Sequence, residues 1–164
     1  MDTLKRVLMF EEGYRGEPYL CPAGAETIGY GHNLSANPLT DNDCAALGID
    51  MDKPLNLTKA QAEALLCRDL DNLIVPAAYR IFNADNWTAF GGVRRAALGS
   101  MIYQLGETGF AGFRGLVSHV LRHDWTGAAD AALDSKWARV DSPARAKRHA
   151  KALWSNLDVW REIR

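Results

Sequence analysis

Residues 10–32 read FEEGYRGEPYLCPAGAETIGYGH, and a change of pattern inside this stretch decides the fold. Upstream, Leu4, Val7 and Leu8 recur at helical spacing, with Glu11 at the end of the same stripe, and Gly13 is a natural stop. The helix therefore covers residues 3–12 and ends at Glu12. From Tyr14 to Leu34 glycines and aromatics alternate with short β-formers, and Pro22-Ala23-Gly24 marks a turn between two strands. This predicts a small hairpin sheet, with Cys21 on the first strand beside the turn and Thr27 roughly across from it. Glu12, Cys21 and Thr27 are too far apart to share one helix face. A hairpin folded back at Gly13 turns all three toward one cleft.

Beyond the hairpin, Thr40 and Asp43 cap a short helix running to about Leu47, and Thr58 with Gln61 forms a stronger capping box. Ala62, Leu65, Leu66, Asp69, Leu70, Leu73 and Ile74 then keep helical period, which makes this the longest helix, kinked or stopped near Pro76. Residues 83–92 read as a loop. Val93–Leu105 is a core helix broken at Gly106-Glu107-Thr108-Gly109. Shorter helices are expected near 115–123, 126–134, 143–155 and 158–162, the third starting with Ser142 as cap and Pro143 at the first helical position. The layout is α+β: a small lobe with the sheet, a long connecting helix and a larger helical lobe. A cleft between lobes is a common place for a ligand site.

The chain has 164 residues, 48% hydrophobic and 24% charged, with net charge −1. Such a chain is globular and has no general attraction for nucleic acid or anionic membrane. The charge is uneven: residues 136–164 carry net +5 and the rest net −6. The basic tail reads either as a solvated helix face or as a contact for an anionic polymer. Three cysteines, Cys21, Cys44 and Cys67, do not make a disulfide framework and suit a reducing compartment. The N-terminal MDTLKRVLMFEEG has no apolar run of signal or membrane-spanning length.

A carboxylic acid on one side of a cleft, with a group on the other that positions water or attacks directly, is an arrangement for acid-catalysed hydrolysis. Glu12 lies at a helix C-terminus, where the dipole disfavours negative charge, so a structural role explains it poorly. Glu11 reads as a surface charge. Taken alone, Cys21 is a small buried hydrophobe, Thr27 an ordinary strand residue and His32 a structural hydrogen-bonding group.

Glu12, Cys21 and Thr27, with eight and five residues between them, precede Ile28-Gly29-Tyr30-Gly31-His32. This run resembles the T-even phage-type lysozymes, the glycoside hydrolase family 24 endolysins. That family carries Glu, usually Asp, then Thr at this spacing, followed by Ile-Gly-x-Gly-His. The likeness continues through Val93-Arg94-Arg95-Ala96-Ala97-Leu98, Gln104-Leu105-Gly106-Glu107-Thr108-Gly109, Ser135-Lys136-Trp137 and Pro143-Ala144-Arg145-Ala146-Lys147-Arg148. It implies one lysozyme-like α+β domain over 1–164: a sheet-bearing lobe at about 13–57, an inter-lobe helix at about 58–80, and a helical lobe at about 81–164 joined by helix 3–12. It also implies hydrolysis of the β-1,4 bond between N-acetylmuramic acid and N-acetylglucosamine in peptidoglycan. Glu12 matches the general acid. Cys21 stands where most members have the catalytic Asp, and Thr27 matches the residue that helps hold the water. Tyr103 and Gln104 match a cleft-lining pair, His32 with Asp69 an ion pair linking sheet and long helix, and Arg145 an arginine near the acid. His32, Tyr103, Gln104 and Arg145 are thus the candidate substrate-binding set. Cys21, Asn33 and Ala131 depart from the family pattern.

The implied partner is the peptidoglycan glycan strand, bound by a monomer with no cofactor, metal, nucleic acid or membrane span. The expected life history is synthesis in the host cytoplasm, release by a holin-type partner and action on the cell wall. The residues also admit two other readings. One is a Cys21 nucleophile with His32 as base, cutting a peptide cross-link. The other is a non-catalytic peptidoglycan-binding module.

Overall fold

The computed structural model describes residues 3–22, 24–50 and 52–161. Ala23 of the expected turn, and Glu162 and Arg164 of the basic tail, lie outside them. The fold is α+β, and the chain divides into two compact units, Leu8–Asn72 on the one hand and Met1–Val7 with Leu73–Arg164 on the other.

Helix α1 (Thr3–Glu12) buries Leu4, Val7 and Leu8 and stops at Gly13, whose φ of 66° is open to glycine without strain. In the first unit the chain then forms β1 (Arg15–Leu20), β2 (Glu26–Gly29) and β3 (His32–Asn33), an antiparallel sheet in the order β1-β2-β3. The hairpin expected from the sequence thus gains a short third strand. Tyr19 pairs with Thr27 and Leu20 with Glu26, and the register slips between Arg15 and Tyr19. Helices α2 (Asp41–Leu47) and α3 (Lys59–Asp69) follow, each with both halves of the expected capping box. Ile28, Leu57, Ala62, Leu65 and Leu66 make the unit's apolar core.

The long helix is not uniform. After α3 the backbone widens into a π turn at Leu70–Ile74 before α4 (Val75–Phe82), which has Pro76 in its first turn. Proline has no N–H to give the carbonyl four residues back, so the ladder must adjust around it. The wider turn rotates the apolar stripe, and Leu73, which helical period puts on the buried face, is 37% exposed.

The second unit is helical. Residues 83–92 are not a loop: Asn83 caps α5 (Ala84–Ala89) by accepting from the Asn86 N–H. The helix forms because Trp87, like Phe90 just beyond it, finds a buried place against Phe82. Helix α6 (Gly92–Ala111) is interrupted where expected, at Gly106, with φ 70° and ψ 164°, and one more helical turn follows. Then come α7 (Arg114–Leu121), α8 (Trp125–Leu133), a π turn at Trp137–Asp141 that periodicity does not reveal, and α9 (Pro143–Ser155). The piece expected near 158–162 is turn and bend through residue 161. Asn156 adopts a left-handed φ of 56° and ends α9, while Asp158 is held by Arg6 and Arg161. A chain of ring contacts runs through this unit, from Phe82 to Phe110, Phe113, Trp137, His149 and Trp160, with centroids 5.2–6.4 Å apart.

Candidate active site

Strand register builds the site in the sheet-bearing unit. Opposite residues of an antiparallel pair share a face. Thr27 therefore faces Tyr19, not Cys21 as the sequence suggested. Cys21 lies just past the end of β1, where its N–H donates to the Ala25 carbonyl at 2.9 Å and its own carbonyl accepts from Gly24 at 2.8 Å. Two residues beyond Tyr19, it returns to the same face by strand alternation. Cys21 is thus the diagonal neighbour of Thr27. The difference arises because the connection is short: it places Ala25 opposite the cysteine, whereas Thr27 would stand there only if two more residues were spent in the turn.

Thr27 is buried, and its hydroxyl donates to the Ala25 carbonyl at 3.1 Å. With its one hydrogen committed, that oxygen offers a water only lone pairs. Glu12 and Cys21 are half-buried. The Tyr19 phenol registers them both. Burial raises its pKa above the ordinary 10.0, the Arg15 guanidinium opposes, and the Glu12 carboxylate and Cys21 sulfur push it up further. Arg15 lies over the Tyr19 ring, 4.3 Å from its centroid. Tyr19 and Arg15 are site neighbours that motif reasoning missed. Period-two alternation back from Cys21 was the signal for the tyrosine.

His32 sits on β3 and is 2% exposed. Its Nδ1 lies 2.8 Å from Asp69 Oδ2 and its Nε2 2.8 Å from the Asn37 carbonyl. The carbonyl can only accept, so Nε2 donates to it. The pair ties β3 to α3, as the resemblance implied, and both ring nitrogens are engaged within the fold.

The other three candidates belong to the helical unit. Gln104 donates through Nε2 to the Ser142 hydroxyl at 2.8 Å and accepts from the Trp137 indole N–H at 3.0 Å. Both ends of its amide are therefore oriented. Ser142 gives its side chain to this bond and not to the start of α9, where no side-chain cap forms. Arg145 is buried and donates to the Ser100 carbonyl at 3.1 Å and hydroxyl at 2.8 Å. Tyr103, one residue before Gln104 on α6, is half-buried. The structure thus groups Glu12, Cys21, Thr27 and His32 in one unit, and Tyr103, Gln104 and Arg145 in the other.

Among the described residues no group of three or more His, Cys, Asp or Glu side chains is placed to hold a metal ion, and no helix is long and apolar enough to cross a membrane. None of the three cysteines is joined in a disulfide.

The family model described as phage lysozyme matches residues 10–153. Among characterised proteins the chain is similar to the pre-baseplate central spike protein Gp5 of Enterobacteria phage T4, with 28% identity over 142 residues. The match covers 82% of this chain and 25% of that protein, so the chain spans about a quarter of that relative's length.

Proposed function

The chain belongs to the phage lysozyme family, and from that premise we propose that it hydrolyses the β-1,4 bond between N-acetylmuramic acid and N-acetylglucosamine in peptidoglycan. What supports the reading is the family match over residues 10–153, which takes in Glu12, Cys21 and Thr27, together with the register that sets Thr27 opposite Tyr19 and the end of β1. Glu12 is assigned as the general acid that protonates the leaving oxygen. Cys21 takes the second role, polarising a water or attacking the anomeric carbon, and Thr27 accepts a hydrogen bond from that water. Tyr103 and Gln104, from the helical unit, are assigned to holding the polymer, buried Arg145 to fixing α9 against Ser100 of α6, and His32 to fixing the sheet that carries Thr27. Host lysis after release by a holin-type partner is the setting assigned to this chemistry.

Cleavage of a peptide cross-link by Cys21 would need a free base beside the thiol. The imidazole proposed for it, His32, is engaged at both nitrogens.

Glu12→Gln separates these readings. The variant should keep the parent's melting temperature and release new reducing sugar ends from purified cell wall more slowly by a factor on the order of 10² to 10⁴. Near-parental release by a folded variant would remove Glu12 from the mechanism. New free amines without reducing ends would favour the peptidase.

A further inference from the structure

Ion pairing sorts the basic tail. Arg139 pairs with Asp134 at 2.5 Å, Lys136 with Asp141 at 3.8 Å and Arg161 with Asp158 at 3.4 Å. Arg145 is buried on Ser100. Lys147 and Lys151 remain exposed, and among the described residues neither has an ion-pair partner. Both stand on α9, whose opposite face buries Arg145, Ala146, His149, Ala150, Ala152 and Leu153. Trp154 lies seven residues after Lys147 and three after Lys151, on the same outward face. It is 57% exposed, and Leu157 just beyond the helix is 62% exposed. More than half of this tryptophan's surface, beside two unpaired cations, is open to a partner outside the chain.

We propose that Lys147, Lys151 and Trp154 form a second binding surface for peptidoglycan, outside the residues assigned to bond cleavage. Trp154 offers its flat face to the apolar side of an amino-sugar ring, and the lysines meet the carboxylates of the peptides that branch from the strand. Charge complementarity selects this occupant: the surface is cationic on a chain of net charge −1, and the polymer is long, anionic and studded with rings. The inference rests on the hydrolase reading for the identity of the polymer alone.

The test is binding in the Glu12→Gln background, where the wall is not digested during the measurement. Full-length protein is sedimented with insoluble cell wall and with vesicles containing about one-third anionic phospholipid. Trp154→Ala should weaken wall binding about tenfold, the scale of losing one exposed aromatic anchor. Lys147→Gln with Lys151→Gln should weaken it and flatten its decline with salt. Melting temperatures should stay parental, since none of the three side chains is buried. Unchanged wall affinity in both variants overturns the proposal. So does parental binding to vesicles that exceeds binding to wall and depends on Trp154, which would make the surface a membrane contact. Wall binding lost in these variants, with no hydrolysis by parental protein, would keep this surface and discard the hydrolase reading.

Discussion

His32 in the sheet-bearing unit and Arg145 in the helical unit are both buried ionisable side chains, held in different surroundings. His32 is fixed by polar partners on either side, the Asp69 carboxylate and the Asn37 carbonyl, within a sheet whose third strand has two residues. Arg145 is set into α9, among buried Ala146, His149 and Leu153, next to the run of rings that ends at Trp160. The sheet unit positions its groups by register and hydrogen bonds, with a modest apolar core. The helical unit also hydrogen-bonds its groups, Gln104 to Ser142 and Trp137 and Arg145 to Ser100, but sets those bonds within a larger apolar and aromatic core. Apolar truncation should therefore cost most in the helical unit, and polar substitution on the sheet should act mainly on chemistry.

Phe110→Ala tests the first half of that contrast. Phe110 is fully buried between Phe82 and Phe113, so the change should cost about 3–5 kcal/mol and lower the melting temperature by about 10 °C. Calorimetry reads the loss, and cleavage per folded molecule should survive it. A stable variant with slow cleavage would break the contrast.

Cys21 tests the other half. Cys21→Ala should slow cleavage by about 10²-fold, equivalent to about 2.7 kcal/mol in the barrier, with little change in melting temperature because the side chain is only half-buried. Cys21→Asp should keep activity by supplying the carboxylate of the family pattern. An alanine variant that cleaves like the parent would make Cys21 a packing residue and leave Glu12 working with a water held by Thr27.

Helix caps sharpen the comparison on a smaller scale. Thr58 caps α3 with a neutral partner, Gln61, so Thr58→Ala should cost about 1 kcal/mol whatever the pH. Asp124 caps α8, and its carboxyl lies below the ordinary 3.8 because it accepts from the Gly127 N–H and pairs with His119. A lowered carboxylate contributes stability above its unfolded pKa and loses it as pH falls through the folded value. The cost of Asp124→Ala should accordingly shrink on acidification below about pH 4. Melting curves of both variants from neutral to acid pH check the difference. An Asp124→Ala cost that stayed constant would mean the carboxylate charge is irrelevant to the cap.

The smallest effect is a titration. Glu12 and Cys21 help to raise the Tyr19 pKa, so Glu12→Gln should let the phenol ionise at lower pH. NMR of the tyrosine ring follows this directly. An unmoved midpoint would place Glu12 outside the reach of β1 and undo the site as described.

Local chemistry was legible in the residues themselves. Thr40-x-x-Asp43 and Thr58-x-x-Gln61 each close a ring of hydrogen bonds within four residues, Gly13 ends α1 and Gly106 breaks α6, because cap geometry and glycine's backbone freedom need no distant partner. The phage lysozyme resemblance was legible too, since it rests on residue identities in order. Tertiary structure alone decided what depends on a second segment. The short connection after Cys21 sets Tyr19, and not Cys21, opposite Thr27, since register is fixed by how many residues the connection consumes. Residues 84–89 became helix because Trp87 had Phe82 to pack on, and the Ser142 side chain left the start of α9 because Gln104 came within reach. The openness of Trp154 was hidden for the same reason: helical period groups it with Lys147 and Lys151, but only the packed fold determines which face of α9 is left uncovered.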